Sequence, residues 1–155
     1  MSSPASIGKH PIHPILVTIP IGLWIFSFVC DLIYIFFSQN SIWSDVALYC
    51  IGGGIIGALL AAIPGFIDYL SITNPRAKKI ATYHLALNLT AVVLYSANFG
   101  LRYAGEPGSF LPVILSAITI VGVGISGWLG GELVYVHGMG VSAPTSGKED
   151  VRRVG

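Results

Sequence analysis

Six side chains of metal-binding type, His10, His13, Asp68, His84, Glu132 and His137, stand at or near the ends of long apolar segments. Histidine is a common axial ligand of haem and a frequent ligand of zinc, copper and iron, and carboxylates supplement it for harder metals. Two chemistries follow from this set. In the first, a haem b lies between helices and is held by two of the four histidines. His84 is then one ligand because it lies deepest, and His13 or His137 is the other, with His10 beside them. In the second, some of the six bind one or two ions of zinc, iron or copper directly and leave positions for water or substrate. Each residue also has a plainer role. His10 and His13 suit an interfacial segment bonded to headgroups or carbonyls, and His137 suits capping of a helix end. Asp68 and Glu132 suit salt bridges with Arg76, Lys78 or Lys79, and Asn88 suits a hydrogen bond across helices.

The elements that must position these groups are set by composition. Of 155 residues, 54% are hydrophobic and 10% charged, whereas soluble domains carry roughly a quarter charged residues. The chain therefore reads as an all-α integral membrane four-helix bundle, a single domain with spans over about 14–37, 44–70, 75–103 and 110–136. Pro14 suits the first helical position, and Pro20 and Gly22 suggest a kink in the first span. The core Pro14 to Phe37 is too long for a secretory signal and is expected to stay as a helix. Trp24 falls mid-span and reads as helix packing.

Ser44 and Asp45 are cap types for the second span. It then presents Gly52, Gly53, Gly54, Gly57, Ala58, Ala61 and Ala62 for close helix approach, and Pro64-Gly65 is expected to loosen it. Asn74-Pro75 opens the third span, whose His84, Asn88, Ala91 and Tyr95 share one face. Gly124, Gly127, Gly130 and Gly131 form a second small-residue stripe in the fourth span, which Gly138 is expected to cap. Residues 1–9 are expected to be loosely ordered and the tail 139–155 flexible. Cys30 and Cys50 fall in apolar runs and read as small buried hydrophobes.

Four spans put both termini on one side. Seven of the eight basic residues, Lys9, Arg76, Lys78, Lys79, Lys148, Arg152 and Arg153, flank that side. By the positive-inside rule both termini are cytoplasmic. All six candidate ligands then gather at the cytoplasmic side. Asp31, Asp45, Arg102 and Glu106 collect at the other, and an Asp31 to Arg102 pair would relieve the cost of two intramembrane charges.

Several classes are excluded. The net charge of +1 is spread over membrane-flanking positions, which gives no nucleic-acid surface. No Cys-x-x-Cys-His attaches haem covalently, and no Walker loop, dinucleotide fingerprint or zinc-protease motif occurs. No internal repeat is legible, which argues against a stand-alone transporter.

The segments GKHPIHPILVTIPIGLW (Gly8 to Trp24), Asp31 after it, and GWLGGELVYVHGMGV (Gly127 to Val141) resemble the hallmark segments of a bacterial four-helix membrane family known as domain of unknown function 2231. The resemblance covers essentially the whole chain and implies a multi-pass protein of the bacterial cytoplasmic membrane. His10, His13, Asp31, Asp68, His84, Glu132 and His137 are the matching positions. The family has no established activity. Some members are fused to Rieske-type iron–sulfur domains, which implies a redox setting by association.

The leading expectation is a cytochrome b-like membrane subunit, exchanging electrons with a Rieske-type protein partner or quinone. The alternatives are a non-haem metal-binding membrane protein, hydrolase-like or metal-handling, and a cofactor-free structural subunit of a larger complex or oligomer.

Overall fold

The computed structural model describes residues 3–105 and 109–141. Glu106 and the tail cations Lys148, Arg152 and Arg153 lie outside the described residues, as does most of the tail expected to be flexible. Two short strands, β1 (Ser6–Ile7) and β2 (His10–Pro11), pair antiparallel and are followed by five helices. These are α1 (Ile12–Leu16), α2 (Thr18–Phe36), α3 (Ile42–Leu70), α4 (Pro75–Ala104) and α5 (Phe110–Tyr135). The all-α class holds. Counting Ile12–Phe36 as one, four helices among the described residues are long and apolar enough to cross a membrane.

The distribution of residue types is inverted relative to a soluble bundle. Ile25, Phe26, Leu59, Leu60, Val93 and Val121 are exposed, while Ser27, Asn98, Ser116 and Ser126 are fully or almost fully buried. Lipid is as apolar as leucine, so helices associate through small residues and internal hydrogen bonds rather than by hiding large apolar ones. Among the described residues α2 packs mainly against α3 and α5, and α4 against α3 and α5, while α2 and α4 meet across the bundle through side chains. At mid-height Trp24 stacks on Tyr95, with ring centroids 4.3 Å apart. Ile51 and Ala91 complete that core. Trp24 is therefore a packing residue, as its position suggests.

The amino-terminal segment is more ordered than its composition predicts. Gly8 and Lys9 both have positive φ, 56° and 68°, the requirement of a two-residue type I′ hairpin turn. Asp68 at the end of α3 accepts hydrogen bonds from the Ser3 hydroxyl at 2.6 Å and the Ala5 amide at 3.2 Å. The hairpin is thus tied to the bundle. The first helix begins at Ile12, so Pro14 is its third residue and not its first. It is interrupted at Val17, which caps both α1 and α2. Pro20 explains the break, since it has no N–H to give to the Leu16 carbonyl four residues earlier.

α3 starts at Ile42, earlier than Ser44, with Ser41 as cap and no side-chain cap bond. It runs through Pro64 without interruption. α4 opens as the sequence indicates, with the Asn74 side chain accepting from the amides of Arg76 and Ala77 and Pro75 at the first position. α5 ends at Tyr135, and beyond it the positive-φ Gly138 turns the chain so that its amide and that of Met139 donate to the Val134 and Leu133 carbonyls.

The two small-residue stripes behave differently. A Cβ on Gly54 would lie 2.3 Å from Trp24 Nε1, and one on Gly57 2.9 Å from Ile19, so α3 uses its glycines for close packing. On α5, a Cβ at Gly124, Gly127 or Gly131 would meet nothing within 4 Å. The expected packing role fails there. Gly124 and Gly127 instead floor an apolar groove of about 210 Å³ between α2 and α5, walled by Ile21, Trp24, Ile25, Ile120 and Val123.

Candidate functional site

The bundle has a terminal end, holding β1, β2, α1, the turn before Pro75 and the last turns of α5, and an opposite end. Polar side chains concentrate at both. At the opposite end the Arg102 guanidinium donates two hydrogen bonds to the Asp31 carboxylate, at 2.7 and 2.6 Å. Its Nε donates to Asn98 Oδ1 at 2.8 Å, and Asn98 Nδ2 donates in turn to the Pro112 carbonyl and Ser116 Oγ. The pair is nearly inaccessible, at 8% and 4% exposure. Two buried charges are tolerable only when paired and hydrogen-bonded in this way. The ion pair is the one expected from the placement of the two charges.

At the terminal end, His13 from α1 and His84 from α4 meet, with ring centroids 6.1 Å apart and planes at 85°. Each ring is bonded through Nδ1 to a main-chain carbonyl of a neighbouring helix. For His13 this is Ala61 on α3, at 2.8 Å, and for His84 it is Ser126 on α5, also at 2.8 Å. A carbonyl only accepts, so each Nδ1 carries a proton, and in the neutral form of such a ring Nε2 holds the lone pair. Among the described residues neither Nε2 has a hydrogen-bond partner. Asn88, one turn after His84, donates to the His84 carbonyl and to Ser126 Oγ, both at 2.8 Å. That is the cross-helix role expected of it.

Both rings rest in glycine notches. A Cβ on Gly65 would stand 2.6 Å from His13 Nδ1, and a Cβ on Gly130 would stand 3.2 Å from His84 Cε1. In each case the glycine follows, by one helical turn, the residue whose carbonyl holds the ring. Gly65 is therefore a seat for His13 rather than only a loosening of α3. Ala61, Gly65, Ser126 and Gly130 are the site residues missed from the sequence. Their signal was a small residue followed four positions later by glycine on each of the two even-numbered spans.

The wider convergence of six ligands does not occur. His10 Nδ1 bonds the Gly8 carbonyl of its own turn at 2.9 Å, and the ring is exposed. Asp68 is occupied by Ser3 and Ala5, and neither it nor Glu132 forms a salt bridge among the described residues. Lys78 donates to the Tyr69 carbonyl and lies 3.5 Å over the Tyr69 ring. Glu132 and His137 are half-buried, and no side-chain hydrogen bond ties either to a described residue. Among the described residues no three His, Cys, Asp or Glu side chains are grouped as a metal site. What remains is a two-histidine site. Two oriented imidazoles with free Nε2 atoms can hold a metal centre that needs two protein ligands, and a carbonyl on the far nitrogen is the usual support of such a ligand.

Comparison with known proteins gives a match to one family, described as "Predicted membrane protein (DUF2231)", over residues 9–143. No curated protein and no solved structure matches the chain.

Proposed function

We propose that this chain, which belongs to the DUF2231 family of predicted membrane proteins, is a cytochrome b-like haem protein in which His13 and His84 would hold the haem. The observation that carries this reading is the paired geometry. Both Nδ1 atoms are committed to main-chain carbonyls, and the ring centroids are 6.1 Å apart. Two rings this close, each with Nδ1 already committed, could share one metal centre through their second nitrogens. A bare zinc ion in a structural site takes four protein ligands and in a catalytic site three. Haem iron has four nitrogens from the macrocycle and asks the protein for two. The number of histidines brought together therefore favours haem over a bare ion.

When bound, the haem supplies one-electron exchange. The protein's part is to fix both rings through Ala61, Ser126 and the two glycine notches, and to keep the site in the membrane beside one face. Lys9, Arg76, Lys78 and Lys79 flank the terminal end, and the described cation of the opposite end, Arg102, is consumed by Asp31. This asymmetry supports cytoplasmic termini in a bacterial inner membrane. The electron partner then meets the terminal end, and a Rieske-type protein or a quinone fits the redox setting.

The test is an optical spectrum of detergent-purified protein. A Soret band and a reducible α-band are expected, both lost in His13→Ala and in His84→Ala. Colourless protein carrying stoichiometric zinc, iron or copper would replace haem by a non-haem ion. Colourless, metal-free protein would leave a structural subunit.

A further inference from the structure

Three contacts between α1–α2 and α4 recur at one interval. His13 faces His84, Trp24 stacks on Tyr95, and Asp31 pairs with Arg102, each pair 71 residues apart. Ser27 and Asn98, each 0% exposed, are separated by the same interval. α3 and α5 match at an interval of 65 residues. All four buried residues of α5, Pro112, Ser116, Thr119 and Ser126, fall on buried residues of α3, namely Ala47, Ile51, Gly54 and Ala61. The histidine supports obey the same rule, because Ala61 corresponds to Ser126 and Gly65 to Gly130. The spacing of buried positions is common to core-facing helices, but it does not require the histidines, their carbonyl supports and their glycine notches to fall at the same two intervals.

We infer that the chain is two copies of one helical hairpin, α1–α3 and α4–α5, related by a pseudo-two-fold axis along the bundle, with His13 and His84 as equivalent halves of a single site on that axis. The axis runs along the helices because matched residues meet at matched heights, the histidines at one end and the charges at the other. This makes the repeat parallel, unlike the inverted repeats of many transporters. A metal centre held there would receive one imidazole from each hairpin. Its being haem rests on the function proposed above, while the repeat does not.

Asp31 and Arg102 gain a meaning from this symmetry. A hairpin paired with its own copy would bring two carboxylates or two guanidiniums together on the axis. Opposite charges at equivalent positions favour only the pairing of the first hairpin with the second, which is specificity by exclusion of alternatives.

The experiment exchanges the contents of equivalent positions in the full chain. Asp31→Arg alone is compared with the fourfold variant Ser27→Asn, Asp31→Arg, Asn98→Ser and Arg102→Asp, which transfers the charge and its supporting amide across the axis. Recovery of monodisperse protein in detergent is the readout. The single change is expected to lower it by about tenfold or more, and the exchange to restore at least roughly half of the wild-type yield. An exchange variant no better folded than Asp31→Arg alone would overturn the repeat. One haem per chain is expected in wild type and exchange variant alike, and two would overturn the single site. A colourless wild type would count against haem only, and the yields of the exchange variants would still decide the repeat.

Discussion

The two ends of the bundle carry polar groups of the same origin and opposite finish. At the Asp31–Arg102 end the carboxylate, the guanidinium, the Asn98 amide and the Ser116 hydroxyl satisfy one another across three helices. At the His13–His84 end each ring gives one nitrogen to the protein and keeps the other. A closed network specifies how helices assemble, and an open one leaves a position for something else. The difference separates residues that hold the bundle together from residues that use it.

That division can be broken by measuring stability and cofactor content on the same variants. The largest effect belongs to the closed end. Asp31→Ala or Arg102→Ala leaves an uncompensated buried charge, and about 3–5 kcal/mol of stability is expected to be lost. Thermal unfolding in detergent reads this, and a loss below about 1 kcal/mol would erase the contrast between the ends. The histidines come next. His13→Ala removes one hydrogen bond and His84→Ala the contacts of its Nδ1 with the Ser126 carbonyl and hydroxyl, each worth about 1 kcal/mol, so a small fall in Tm should accompany complete loss of the haem spectrum. A fall as large as that of Asp31→Ala would make the histidines structural.

The glycine seats sharpen the comparison further. Gly65→Ala places a methyl 2.6 Å from the His13 ring and Gly130→Ala places one 3.2 Å from His84. Overpacking of this kind costs about 1–3 kcal/mol. Haem retention is expected to fall in the order wild type, Gly130→Ala, Gly65→Ala. The smallest effect is expected at Gly124→Ala, where the new methyl meets nothing within 4 Å. There alanine's better helix propensity should shift stability by up to about 1 kcal/mol upward, with the spectrum unchanged.

Which parts of this were legible in the sequence follows from what fixes each feature. Asp31 and Arg102 were readable as a pair because each is costly alone in a span and both lie near the same face. Asn74-Pro75 and the shared face of His84, Asn88, Ala91 and Tyr95 follow from local geometry alone. The gathering of His10, Asp68, Glu132 and His137 with the other two histidines did not follow. Lying at one end of a bundle fixes a residue's height but not the rotation of its helix, and that rotation is set by packing. His10 turns into its own hairpin, and Asp68 is taken by Ser3 and Ala5.

The glycines of α3 and α5 look alike in sequence, yet only contact with Trp24, Ile19 or a histidine ring shows which are filled. The repeat was illegible for a related reason. Trp24 matches Tyr95, Ser27 matches Asn98 and Asp31 matches Arg102, so size, polarity and depth persist while identity does not. Among the pairs that build the axis and its supports, only the histidines and the glycines Gly65 and Gly130 are the same residue twice.

The interruption at Val17 gives the two histidines unequal mechanical footing. His84 is carried by a continuous helix of 30 residues, whereas His13 stands just before Val17, where the backbone stays helical but Pro20 has no N–H for the Leu16 carbonyl. A displacement between the rings is therefore taken up first on the His13 side, where a helical hydrogen bond is missing. His84 is the anvil of the pair and His13 the spring, and the hairpin of β1 and β2 attached to the spring is the part of the molecule positioned to feel it move.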